Sequence, residues 1–202
     1  MNTKLFSLFT AILIFVSVVS ANRAQALEVK RTQFVMSLGA ERPVTESGLG
    51  LRSSIVSFRA PGVTDIYFFY AGLTYEKKFG DWKFWTSPQL VAVTNFFADH
   101  DALGPALWLS LSNQWFKLFL EPEAYFGSEG RKGYYGFYSV DFKPLPWIEL
   151  GPQLEQVHND GMSYKFGPHI SVSKDAVTCT ATWFMDSKQE FQQFRLMVGA
   201  TF

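Results

Sequence analysis

Residues 191–202 end the chain with FQQFRLMVGATF. Counted back in twos from the terminus, Phe202, Ala200, Val198, Leu196 and Phe194 form one set, and Thr201, Gly199, Met197, Arg195 and Gln193 the other. This is the period of a β-strand, in which successive side chains point to opposite faces. One face is apolar and the other mixed, and the last residue is aromatic.

The same alternation runs through most of the chain, and no helix-period segment stands out. From Asp65 to Lys78, Tyr67, Phe69, Ala71, Leu73 and Tyr75 oppose Gly72, Thr74, Glu76 and Lys78. From Met162 to Ser173, Met162, Tyr164, Phe166, Ile170 and Val172 oppose Ser163, Lys165, Gly167, His169, Ser171 and Ser173. Similar strands are expected at 82–96, 107–112, 116–126, 137–143, 148–155 and 177–185, with either Val29–Leu38 or Leu49–Arg59 as the first strand ahead of them. Which face of Leu49–Arg59 is apolar stays open. Short turns near 80, 113, 145 and 174 alternate with longer polar loops at 98–105, 127–133, 158–161 and 186–190.

Composition narrows the class. A basic residue at Lys4, an apolar run Leu5–Val19 and the small-x-small triplet Ala24-Gln25-Ala26 make residues 1–26 an expected cleaved secretory signal. The run is too short for a spanning helix. The remaining residues 27–202 form one domain, of which 27–64 holds the first strand or strands. The leader takes Lys4 and Arg23 from eighteen basic residues against eighteen acidic ones, which leaves −2 and no basic footprint for nucleic acid. One cysteine, Cys179, rules out an internal disulfide framework. Aromatics make up 17% of the chain, and 21 of its residues are Phe, largely on the apolar faces.

With its terminal Phe, alternating closing strand and unequal connections, the chain resembles the outer-membrane β-barrel proteins of Gram-negative bacteria. The resemblance implies a closed antiparallel transmembrane β-barrel with apolar side chains toward lipid, short periplasmic turns and both termini periplasmic. Strands of 11 to 14 residues suit a tilted span of about 9–11 residues with short extensions. An even strand count follows, ten by this reading and twelve as the alternative. The resemblance also implies outer-membrane lipid as surroundings, and assembly machinery that grips the strand ending in Phe202. The competing fold is a soluble two-sheet sandwich, whose apolar face would be core.

The second face is then the lumen. It carries Lys83, Lys117, Glu121, Glu123, Asp141, Lys143, Glu149, Gln153, Glu155, Lys165, His169 and Arg195, with Trp108, Tyr135 and Phe137 among them. Charges inside a small barrel pair with one another, because an unpaired one is costly. Ten to twelve strands enclose more than the eight whose side chains just fill the interior, so a narrow passage for small solutes is the expected function. A lipid-modifying enzyme is the alternative, and a structural barrel a further one. A loop centred on Asn159 would set Glu149 opposite His169, Gln153 opposite Lys165 and Gly151 opposite Gly167. His169-x-Ser171 puts both side chains on the lumenal face, ~7 Å apart. Glu149, His169 and Ser171 are therefore the candidate catalytic set. Outer-membrane lipid A deacylases are similar in that spacing, but their Asn-Gly after the Ser and their acid on the next strand are absent.

Pro88, Pro122, Pro152 and Pro168 fall mid-strand on the outward face, where proline cannot donate to the ladder. They would suit a lateral opening in the wall, for which the outer-membrane palmitoyltransferases look like a precedent, though their catalytic motif is not matched. Asp99, His100 and Asp101 with His158 and Asp160 have the look of ordinary polar loops, and neither metal nor cofactor is expected.

Overall fold

A computed structural model describes residues 32–59, 65–96, 101–158, 161–185 and 191–202. The expected signal at 1–26 lies outside them. Alternation becomes eleven strands: β1 (Thr32–Pro43), β2 (Leu49–Arg59), β3 (Ile66–Phe79), β4 (Trp82–Val93), β5 (Ala102–Ser112), β6 (Phe116–Gly127), β7 (Lys132–Leu145), β8 (Ile148–His158), β9 (Met162–Lys174), β10 (Val177–Met185) and β11 (Phe191–Thr201). Consecutive strands pair antiparallel, and β11 returns to β1 to close a barrel. The all-β barrel is as expected.

The strand count, eleven, falls between the expected ten and the alternative twelve, and it is odd rather than even. The expected parity assumed that both ends of the barrel lie on one rim, whereas β1 and β11 run parallel, from Thr32↔Phe194 to Gly39↔Thr201. Both stretches offered as the first strand form strands, β1 and β2, where the ten-strand reading needs only one of them. Phe202 extends the seam: its N–H donates to the Gly39 carbonyl at 3.0 Å and its carbonyl accepts from Glu41 N–H at 2.7 Å. The strands begin earlier than the loop composition suggests. Ala102–Ala106 belongs to β5 and Lys132 opens β7, so 98–105 and 127–133 are not wholly loop.

Two turns show how the short-turn rim is made. Gly80 (φ 58°) and Asp175 (φ 53°) each supply the left-handed residue of a two-residue hairpin, as the strand twist requires. Between β5 and β6, the Asn113 side-chain oxygen accepts from both Trp115 N–H and Phe116 N–H at 2.8 Å.

The hairpin ladders are interrupted at mid-height. Pairing skips Leu73/Pro88 and Thr74/Ser87 between β3 and β4, Gly104/Tyr125, Pro105/Ala124, Leu107/Pro122 and Trp108/Glu121 between β5 and β6, Val140/Pro152 and Asp141/Gly151 between β7 and β8, and Trp183/Pro168 and Phe184/Gly167 between β9 and β10. Each gap contains a proline, which has no N–H to give. In the first, the Ser87 hydroxyl donates to the Leu73 carbonyl at 2.8 Å and fills the vacancy. Pro105, read from sequence as loop, belongs to the same band.

The faces sort by polarity. Outward side chains include Met36, Leu38, Leu51, Ile55, Phe69, Leu90, Leu103, Val140, Leu150 and Val198, all exposed. Among the described residues, outward Lys and Arg occur only at Arg42, Arg59, Lys77, Lys132 and Lys174, each within three positions of a strand end. Buried residues instead include Gln89, Glu123, Asp141, Gln153, Glu155, His169 and Arg195. An apolar interior sector of Phe68, Val91, Val93, Phe96, Ala102 and Tyr125 packs at the long-loop end of β3–β6.

Candidate functional site in the barrel interior

One row of inward residues crosses seven neighbouring strands: Glu41, Arg52, Gly72, Gln89, Ala106, Glu123 and Tyr135 stand opposite one another in turn. Gly72 and Ala106 are small there, so long neighbours can reach across. Arg52 pairs with Glu41 at 3.0 Å, and Trp85 Nε1 donates to the other Glu41 oxygen at 3.1 Å. The Arg52 guanidinium lies over the Trp108 ring at 4.9 Å and the Trp85 ring at 5.5 Å. Glu123 is held by neutral donors: Trp108 Nε1 at 3.3 Å, the Tyr70 hydroxyl at 3.4 Å and the Tyr125 hydroxyl. Gln89 is 5% exposed, and neither amide atom has a hydrogen-bond partner among the described residues.

Below and beside this row, cations and carboxylates pair. Glu149 takes Lys117 at 2.7 Å and Lys143 at 3.5 Å. His169 Nε2 lies 2.8 Å from Asp141, which also accepts from the Ser139 hydroxyl at 3.0 Å. Arg195 reaches Glu155 at 2.6 Å, three strands away, and donates to Gln33 at 2.5 Å. Lys165 donates to Gln193 at 3.1 Å, and the Thr182 hydroxyl to Gln153 at 3.4 Å. Lys83 pairs with Glu76 at 2.6 Å near the short-turn rim. At the opposite rim Arg59 hydrogen-bonds and pairs with Asp65 at 2.7 Å, which holds the Asp65 carboxyl below its ordinary range.

A cavity of about 230 Å³ lies within the barrel, with Tyr70, Trp108, Phe119, Tyr135 and Phe137 on one side and Ser37, Thr178, Thr182 and Gly199 on the other. Glu121, Arg52 and Arg195 also line it.

The expected catalytic trio does not assemble. The β8–β9 register is centred on position 160 rather than 159, so Glu149 faces Ser171, Gly151 faces His169, Gln153 faces Gly167 and Glu155 faces Lys165. Glu149 is committed to two lysines, His169 to Asp141, and the Ser171 hydroxyl to Thr180 at 2.7 Å. No serine is placed on the histidine, and a nucleophile needs its base within hydrogen-bond reach. Asp99, His100 and Asp160 lie outside the described residues, and no group of three metal-ligating side chains occurs among the described ones.

Pro152 and Pro168 stand directly opposite each other, and Pro122 stands opposite Gly136. The pairing gaps at Pro88, Pro122, Pro152 and Pro168 are spread over four hairpins. They mark a band around the wall rather than one seam.

No family model, curated protein or solved structure matches the chain.

Sequence reading left out Arg52, Glu41 and Trp85. Glu41 lies in a stretch, 39–48, whose composition reads as loop, and for Arg52 the missing signal was the face of β2. Leu49, Leu51 and Ile55 mark the outward set, but Val56 and Phe58 point inward toward the apolar sector and blur the alternation.

Proposed function

We propose that the chain is a small outer-membrane β-barrel of the Gram-negative type whose lumen is a narrow passage for small solutes. The observation that carries this reading is the inverted distribution of polarity: apolar side chains outside, paired charges inside. A sheet protein in water places them the other way round, and lipid rewards this arrangement.

The rims agree with it. Phe79, Trp82, Trp115, Phe116, Phe142, Trp147 and Phe202 are all exposed at the short-turn end, and Tyr67, Phe126 and Tyr164 at the other. On β6 the outward stripe from Phe116 to Phe126 covers ten residue steps. At ~3.3 Å per residue and a tilt of ~40° this is about 25 Å along the axis, the height of an outer-membrane apolar band. The strand ending in Phe202 is the segment assembly machinery would grip. The paired charges and the confined cavity suit single small solutes better than a wide pore.

Single-channel recording of the purified protein in a planar bilayer tests the passage. Discrete, small, salt-dependent openings are expected. A folded but silent barrel would remove the passage and leave a wall protein. The membrane location has its own test. Leu107, at the midpoint of β5, is outward and 38% exposed. Leu107→Arg is expected to destabilise the protein in lipid vesicles by about 2–4 kcal/mol, the cost of a cation at mid-bilayer. At a water-facing site the change would stay within about 0.5 kcal/mol, and that result would sink the membrane reading.

A further inference from the structure

We infer that the internal cavity is a binding site for small organic cations, of the substituted-ammonium class. This rests on the reading of the lumen as a solute path and names the solute. Tyr70, Trp108, Phe119, Tyr135 and Phe137 are five of the seven rings that, among the described residues, line one cavity, and Glu121 lines it with them. Aromatic faces attract cations through the ring quadrupole, most strongly where water is excluded. The interior already uses this chemistry, since the Arg195 guanidinium sits 4.7 Å from the Phe184 ring centre and Arg52 sits over Trp108.

The charge balance points to a cation and not an anion. The two arginines on the cavity wall each hold a carboxylate, Glu41 at 3.0 Å and Glu155 at 2.6 Å. Glu121 has no ion-pair partner among the described residues and hydrogen-bonds the Glu123 carboxyl, two positions along the same strand, whose other partners are the neutral donors Tyr70, Trp108 and Tyr125. A carboxylate out of water without a counter-charge is costly. A cation seated among the rings beside Glu121 supplies that charge. Gln89, beside Ala106 and Glu123 in the same row, adds an amide with both hydrogen-bonding atoms unused.

The test is calorimetric titration of the purified protein in detergent with choline chloride, against 3,3-dimethylbutan-1-ol, its uncharged carbon isostere. Saturable choline binding is expected, with the alcohol about tenfold weaker or more. Glu121→Gln keeps shape and removes the charge, and is expected to weaken choline by about tenfold. Phe137→Leu removes a ring without touching a charge, and should weaken choline more than the alcohol whether or not the first variant folds. Equal binding of choline and the alcohol, no choline binding, or wild-type choline affinity in folded Glu121→Gln would overturn the proposal. Conductance separates the two readings. A conducting barrel that ignores choline loses the site and keeps the passage, and a silent barrel that binds choline keeps the site and loses the passage.

Discussion

Replacing Arg195 with Ala is expected to destabilise the barrel by about 3–5 kcal/mol, because it strands a buried carboxylate. Arg195 is 5% exposed and Glu155 4%. The pair spans from β11 to β8, and the same guanidinium bonds Gln33 on β1 and rests on Phe58 of β2 and Phe184 of β10. One side chain thus ties both sides of the closing seam to the opposite wall. Removing the cation alone leaves Glu155 without its counter-charge. Removing both charges should be far milder, so Arg195→Met with Glu155→Leu is expected to fall within about 1 kcal/mol of the native protein. Urea unfolding in lipid vesicles, followed by tryptophan fluorescence, measures all of these. A loss below about 1 kcal/mol for Arg195→Ala would put the pair in the range of solvated surface pairs and mean a wet lumen at that height.

Gly167→Ala is the second large effect, at about 3 kcal/mol, the upper part of the usual overpacking range. An added Cβ at Gly167 would lie 1.6 Å from the Trp183 carbonyl oxygen. The obstacle is backbone, so no rotamer change relieves it, and β9 and β10 must separate. This is where pairing between the two strands already lapses at Pro168. Gly199 is the control. It faces the same interior, but its nearest neighbour is the Ser37 Cβ at 3.6 Å, ordinary contact. Gly199→Ala is expected to be neutral, or to stabilise by up to about 1 kcal/mol through the unfolded chain. Equal losses at the two sites would mean that the close approach at Gly167 is not what holds β9 against β10. The same unfolding assay decides.

The close approach explains why the Pro and Gly band was only half legible beforehand. Pro88, Pro122, Pro152 and Pro168 announce missing donors wherever they fall in a strand. That the glycines beside them accept a neighbouring carbonyl depends on which strand lies alongside and at what height. Pro105 went unrecognised because Gly104 and Pro105 read locally as loop, although pairing with Val91 and Leu90 of β4 holds them in the sheet.

Alternation alone determined the faces. Period two is a property of a single strand, so Phe194, Leu196 and Val198 could be set outward and Arg195 inward without knowing any partner. The inward placement of Lys117, Glu121, Glu123, Asp141 and Glu149 follows in the same way. Closure and pairing were another matter. A two-residue slip leaves every side chain on its own face, whereas a one-residue slip would flip them all. Registers centred on 159 and on 160 therefore satisfy the same hydrophobic pattern, and only the assembled sheet separates Glu149 from His169. The parity of the strands is equally invisible to the pattern, because a parallel or an antiparallel seam buries the same faces. The ties from Arg195 to Glu155 and from His169 to Asp141 join residues far apart in the chain, brought together by the curvature of the closed wall. That curvature belongs to all eleven strands at once, and no single segment carries it.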